Sequence, residues 1–321
     1  MPPSNGRRPV ALRLSVTDRC NMRCAYCVPD RKTAKVPRRE LPRLERLAEA
    51  VGWLQREFNV ATVKVTGGEP LLRRGVVDLI GLLVRCPGID EVSMTTNGTY
   101  LAQPARALKG AGLARLNVSL DSVHAERFRW LTRGGRLEDT LEGIRAAREA
   151  GFDLLKLNAV LLRSTWREDV PELLDFAASQ PAEMRFIELM GTGTEAAWVA
   201  DEYVSADVVR DWLEARAPVE SVPVAATSTA RRTRVAWRGR EVMVGWITPR
   251  SHPFCDGCHR LRLDARGRLF RCLMDPLPYP LVTLLAEQPS DQVRRGMEGF
   301  LAGKRPPKSM DTLIPMIAIG G

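Results

Sequence analysis

No apolar run in these 321 residues reaches the length that crosses a bilayer. The opening residues, Met1 to Arg8, lack a signal peptide's hydrophobic stretch, so the chain is expected to be cytoplasmic. Aromatics are only 6% of the chain, too few for the exposed stacking platforms of a nucleic-acid-binding protein. Histidine is scarce, and the nearest to the first cysteine group is His124, which argues against a zinc site there. No internal repeat and no low-complexity tract appears, which sets aside solenoid and linker-like chains.

What remains is the composition of an ordinary globular protein, 45% hydrophobic and 27% charged. The length suits one large domain and a smaller one. With 48 basic and 38 acidic residues the formal charge is +10, which suits a polyanionic partner, either nucleic acid or polyphosphate. The basic runs at 31–39 and 231–240 read as solvated surface.

Seven cysteines is an odd number, and six of them form two tight groups, which is metal spacing and unlike a disulfide framework. Cys86, the seventh, reads as a small core residue at a helix end. Cys20, Cys24 and Cys27 have the Cys-x3-Cys-x2-Cys spacing that holds three irons of a four-iron cluster and leaves the fourth without a protein ligand. Cys255, Cys258 and Cys272 again make three. Their spacing is equally compatible with a second open cluster and with a Cys3His zinc site using His252 or His259.

From residue 11 to about 190, candidate strands at 11–17, 61–66, 91–96, 114–120, 154–160 and 183–189 alternate with helical patterns. Leu44, Leu47, Val51, Leu54 and Phe58 step by three and four, as do Leu137, Leu141 and Ile144. Six such units fall short of a closed eight-fold barrel and predict an α/β fold with an open, partial (β/α)6 TIM-like barrel. Several strands alternate apolar with polar residues. If outer helices cover Leu116, Val118 and Leu120, then Asn117, Ser119 and Asp121 point inward. By the same alternation Arg13, Lys64, Lys156 and Arg185 project into the barrel. They require either carboxylates, for which Glu69, Asp121 and Glu188 are candidates, or an anionic ligand such as a triphosphate. Gly67 and Gly68, in Thr66-Gly-Gly-Glu-Pro, let backbone approach a ligand closely.

Residues 216–230 carry prolines and small residues without periodicity, which predicts a boundary between domains 1–216 and 217–321. A hairpin over 233–237 and 241–248 follows, then the second cysteine group in a smaller α+β domain. The apolar tail ends in Gly320-Gly321, narrow enough to thread into a cavity.

The strand Leu12-Arg-Leu-Ser-Val, the triplet with Tyr26 before its last cysteine, and Thr66-Gly-Gly-Glu-Pro together resemble radical S-adenosylmethionine (SAM) enzymes. With Thr95-Thr-Asn-Gly, Asn117-Val-Ser-Leu-Asp-Ser, Lys156-Leu-Asn-Ala-Val, Arg185-Phe-Ile-Glu, the second triplet and the Gly-Gly end, the match runs nearly end to end. It is to the MoaA-type GTP 3′,8-cyclases of molybdenum-cofactor biosynthesis. The resemblance implies two [4Fe-4S] clusters, on Cys20, Cys24 and Cys27 and on Cys255, Cys258 and Cys272. It implies SAM contacts from Tyr26, Gly68, Ser119 and Met190. GTP would be held by Arg13, Lys64, Thr95, Lys156, Arg260 and Arg262, with Arg185, Gly320 and Gly321 completing catalysis. The implied chemistry abstracts hydrogen from ribose C3′, joins C3′ to guanine C8 and reduces the product. The implied partners are GTP, a reductant protein such as flavodoxin or ferredoxin, and a downstream cyclic pyranopterin synthase. A homodimer fits that reading, and neither a membrane nor nucleic acid does.

Two departures fall on the substrate side. His259 stands where the family usually has Asn, and Thr62 and Lys64 stand where it usually has Lys and Arg. Lysine keeps the charge of arginine but loses its bidentate fork. The resulting rival is a divergent radical SAM enzyme acting on another nucleotide. A peptide-modifying relative would carry more C-terminal cysteines, and a zinc protein binding nucleic acid would show clustered basic residues among exposed aromatics.

Overall fold

The computed structural model describes residues 8–28, 35–193, 196–225, 228–307, 309–312 and 316. Residues 31–34 of the first basic run, and Gly320 and Gly321, lie outside the described residues.

Six parallel strands form the wall in chain order: β1 (Val10–Ser15), β2 (Val60–Thr66), β3 (Glu91–Thr96), β4 (Arg115–Ser119), β5 (Leu155–Leu161) and β6 (Ala182–Glu188). The helices between them are α1 (Leu44–Phe58), α2 (Val76–Val84), α3 (Ala105–Gly110), α4 (Ala125–Thr132), α5 (Leu137–Glu149) and α6 (Trp166–Ser179). Each connection is a crossover, as parallel neighbours require. The stripe foreseen on α1 is buried, with Leu47, Val51 and Leu54 at 1% exposure or less. Each such side chain contributes about 1.5–3 kcal/mol on burial.

The outer faces of the strands follow the alternation. Leu116, Val118, Leu155 and Leu157 are fully buried against the helices, while Asn117, Ser119, Asp121 and Asn158 line the interior cavity. The alternating strands therefore belong to a parallel sheet whose inner face is kept polar for a ligand.

Beyond β6 come β7 (Gly191–Thr192), β8 (Val219–Val222), β9 (Arg231–Trp237), β10 (Arg240–Ile247), β11 (Arg260–Leu263), β12 (Leu269–Phe270) and β13 (Asp311–Thr312). β7 and β13 pair as a separate two-stranded sheet, and the others extend the same wall at both edges: β10 joins β6 in parallel, and β11 joins β1 in parallel. The resulting eleven-stranded sheet runs β12-β11-β1-β2-β3-β4-β5-β6-β10-β9-β8.

Three expectations are corrected here. The stretch after Arg216 is not wholly irregular, because Val219–Val222 pairs with β9 as the edge strand β8. The basic run 231–240 is largely strand, with Arg232 half-buried and turned to Glu183. Cys86 is half-buried at the end of α2 rather than in the core.

Candidate functional site

The first triplet follows β1 in a loop that two other segments hold. Backbone N–H groups of Arg23 and Ala25 donate to the carbonyls of Thr132 and Leu131 at the end of α4, both at 3.0 Å. Gly68 N donates to Thr17 O at 2.7 Å, and Glu69 N to Arg19 O at 2.8 Å. A Cβ on Gly68 would stand 2.3 Å from Arg19 O, so only glycine lets these two backbones meet. Met22, Ala25 and Val28 are buried beneath the loop, and Cys20, Cys24 and Cys27 line the cavity.

Around the triplet the polar groups are fixed. Met22 N donates to Cys20 Sγ at 3.3 Å, and Asn97 Nδ2 approaches the same sulfur at 3.8 Å. Burial pushes the thiols of Cys20 and Cys24 up, Cys24 strongly. The Tyr26 hydroxyl donates to Asp121 Oδ2 at 2.5 Å, and Val160 N donates to Asp121 Oδ1 at 2.9 Å. Burial lifts the Asp121 carboxyl to about 6. Glu69 accepts from Thr96 Oγ1 and Asn97 N, both at 2.7 Å, and from Leu71 N at 3.0 Å. Burial lifts it to about 7.

The second triplet opens on the same cavity. Cys255, Cys258 and Cys272 line it together with the first three cysteines, around a volume of about 350 Å³. Register explains the placement. β1 and β11 run parallel, with Ala11 opposite Arg260 and Arg13 opposite Arg262. The first triplet lies past the C-terminal end of β1, whereas Cys255 and Cys258 precede β11. Antiparallel β12 brings Cys272 back to that same lower end. At roughly 3.3 Å per residue, the length of β1 separates the two levels by about 20 Å.

The cations lie between. Arg262, Arg13 and Lys64 occupy one row across β11, β1 and β2. Arg13, Lys64, Arg185, Arg260 and Arg262 all line the cavity. Burial, then the neighbouring Arg260 and Arg185, lowers Arg13 to about 10. Burial and Arg13 push Lys64 well below its ordinary value. Burial and Arg13 do the same to Arg262. Glu69, Asp121 and Glu188, the carboxylates foreseen as partners, are bonded elsewhere. Glu188 accepts from the backbone N–H groups of Ala206, Arg250 and Ser251 at 2.9–3.0 Å.

Sequence reading missed Glu183, which binds Arg185 Nε at 2.6 Å; its place two residues before Arg185 on the same strand face was the available signal. It also missed Lys304, which reaches the carbonyls of Cys258 (3.0 Å) and Arg260 (2.7 Å) and lies 3.7 Å from Cys258 Sγ. No local signal distinguishes that lysine from a surface residue.

Tyr26, Gly68, Ser119, Met190 and Thr95 line the cavity. Lys156 does not: it is buried two residues below Asn158 on the same strand face, opposite Glu183. Burial and Arg185 lower its amine to about 8. The tail glycines are outside the described residues, but Met316, four positions before Gly320, lines the cavity.

Two family models cover the chain, Radical SAM superfamily at residues 14–177 and Molybdenum Cofactor Synthesis C at 182–310. A GTP 3′,8-cyclase of Pelotomaculum thermopropionicum is 41% identical over 82% of this chain and 81% of its own length. The chain belongs to the GTP 3′,8-cyclase family of radical SAM enzymes. A second member, GTP 3′,8-cyclase 1 of Pseudomonas aeruginosa, is 40% identical over 88% of this chain and 85% of its own. The solved structure of HydG, a maturase of the [FeFe]-hydrogenase, aligns with TM-score 0.53 and 17% identity over 64% of this chain and 48% of that one, a likeness of fold.

Radical SAM membership implies a [4Fe-4S] cluster and SAM, and the residues fit both. Three thiols from one loop face the cavity, and one sulfur already accepts an N–H. Thiols raised by burial ionise when metal displaces their protons. The Gly67-Gly68 backbone lies alongside the loop with no side chain in the way.

Proposed function

We propose that this chain converts GTP to (8S)-3′,8-cyclo-7,8-dihydroguanosine 5′-triphosphate, the first step of molybdenum-cofactor biosynthesis. The observation that carries the reading is the shared cavity: two cysteine triplets face it from opposite ends, with buried cations between.

Cys20, Cys24 and Cys27 would hold the first cluster, which with SAM would supply radical chemistry at the ribose. The protein's part is position and exclusion of water. Tyr26, Gly68, Ser119 and Met190 would hold SAM above the substrate, Tyr26 being steadied by its bond to Asp121. Arg13, Lys64 and Arg185 would hold the triphosphate, whose charge relieves their mutual repulsion, with Lys156 adding positive charge from behind Arg185. Thr95 sits beside them on the cavity wall.

Cys255, Cys258 and Cys272 would hold the second [4Fe-4S] cluster, with Arg260 and Arg262 orienting the guanine side. The donor set fits. Arg260 Nε donates to Cys258 Sγ at 3.4 Å and Met274 N to Cys272 Sγ at 3.5 Å. Burial alone would raise the Cys258 thiol, but Arg260 and Lys304 bring it below its ordinary value. His252, a candidate fourth zinc ligand, is instead 2.8 Å from Asp207.

In this reading residues 1–216 generate the radical, and residues 217–321 carry the second triplet and a tail whose Gly320 and Gly321 reach the substrate. In support, β13 pairs with β7, and Thr192, Met310 and Met316 line the cavity. A flavodoxin or ferredoxin supplies electrons, a cyclic pyranopterin synthase takes the product, and the assembly is a homodimer.

Anaerobic incubation of the reconstituted protein with SAM, a reductant and each nucleoside triphosphate tests the reading. The expected result is 5′-deoxyadenosine and cyclised nucleotide with GTP. Cys272→Ala loses the cyclised product while still cleaving SAM. Turnover of a different nucleotide with GTP untouched would transfer the case to the divergent enzyme that Thr62, Lys64 and His259 suggest.

A further inference from the structure

The basic run 231–240 has a member that the surface does not claim. Arg232 on β9 is opposite Gly245 on β10, and Gly245 is opposite Arg185 on β6. Residues in one row of a pleated sheet project to the same side, so Arg232 and Arg185 share the inner face with one residue between them. That residue has no side chain. A Cβ on Gly245 would lie 3.0 Å from Arg185 Cγ and 3.2 Å from Glu183 Oε1. Through the gap both guanidinium groups reach one carboxylate: Arg185 Nε to Glu183 Oε1 at 2.6 Å, and Arg232 Nη2 to Glu183 Oε2 at 2.5 Å.

Glu183 is almost wholly enclosed, with its side chain 9% exposed. Lys156 lies opposite it in register. Three cations thus surround one carboxylate, and a single negative charge leaves an excess of positive charge behind the cavity wall, where Arg185 is the member of the group that lines the cavity. Burial acts to raise the Glu183 carboxyl, yet Arg185, Lys156 and Arg232 together draw it below its ordinary value. Lys64 belongs to the same field, since Arg185 and Lys156 both depress it. Each arginine gives Glu183 one N–H and keeps others of its fork for further acceptors.

We infer that Arg232 is a positioning residue for the phosphate end: with Glu183, in the gap left by Gly245, it holds the guanidinium of Arg185, the member of this group that lines the cavity. The inference rests on the nucleoside-triphosphate reading above. A second cation on Glu183 also leaves more of the Arg185 charge for an anionic ligand.

The test is anaerobic calorimetry of the reconstituted holoenzyme with GTP and with guanosine, for wild type, Arg232→Met and Arg232→Lys. Arg232→Met is expected to weaken GTP about tenfold, the range of one charge-assisted contact loosened at Arg185, and to leave guanosine unchanged. Arg232→Lys is expected to recover most of the loss. Unchanged GTP affinity in Arg232→Met overturns the inference, as does equal weakening of GTP and guanosine, or a lysine variant no better than the methionine. A wild type that binds guanosine as tightly as GTP overturns the triphosphate reading itself.

Discussion

At the scale of single residues, burial and like charge set the chemistry of the site. Among the cations of the site Lys156 titrates in an accessible range, its amine lowered to about 8 by burial and by Arg185. A triphosphate on neighbouring Arg185 would favour the ammonium and raise that value. Below pH 7 the lysine is protonated with or without ligand, so affinity for GTP is expected to be flat. As pH rises through 8 the free protein loses the proton that the complex keeps, and affinity falls by up to about tenfold per pH unit. Calorimetry from pH 6.5 to 9.5 checks this, and Lys156→Met should bind more weakly with a much shallower slope.

Residue identity at the site was largely legible from the chain. The six cysteines, the inward cations Arg13, Lys64 and Arg185, and Ser119 all line the cavity that their spacing or alternation pointed to. What escaped was partnership. Glu183, Arg232 and Lys304 lie 2, 47 and 119 positions from Arg185 in sequence, and only the fold brings the last two inward.

At the scale of elements, one carboxylate joins two parts of the molecule. Glu188, at the end of β6, accepts from Ala206 N, from Arg250 N and Ser251 N, and from the Ser251 hydroxyl. It thereby ties the strand that carries Arg185 to the segment leading into Cys255. Glu188→Ala orphans three backbone donors, one buried and two partly buried, and is expected to cost on the order of 3 kcal/mol in chemical denaturation. Because the first loop is anchored instead by α4 and the glycine pair, SAM cleavage should survive better than GTP turnover. Equal loss of both would show that Glu188 supports the whole barrel rather than the second site. The hairpin β9–β10 was visible in sequence as two apolar-polar runs about a glycine turn. Its docking onto β6 was not, because nothing local encodes which edge of a parallel wall a distant hairpin completes.

At the scale of the whole molecule, the wall is continuous where composition suggested a seam. β10 covers the edge of β6, and β11 covers the edge of β1. Residues 1–216 expressed alone would expose both as unpaired strands, the geometry that recruits other chains. That fragment is expected to aggregate, and the full chain to remain dispersed, in sedimentation of freshly refolded material. A monodisperse fragment with native circular dichroism would show that the two edges tolerate water.

The paired run of β1 and β11 acts as a gauge. Because the two sulfur-bearing ends hang from neighbouring ladders, the interval between them is counted in peptide units. Adding two residues to both strands would widen it by about 7 Å and keep Arg13 and Arg262 facing inward, whereas adding one would turn them out. The reach between the two ends is thus written into the length of a strand, and it can grow with these cations kept inward only in steps of two residues.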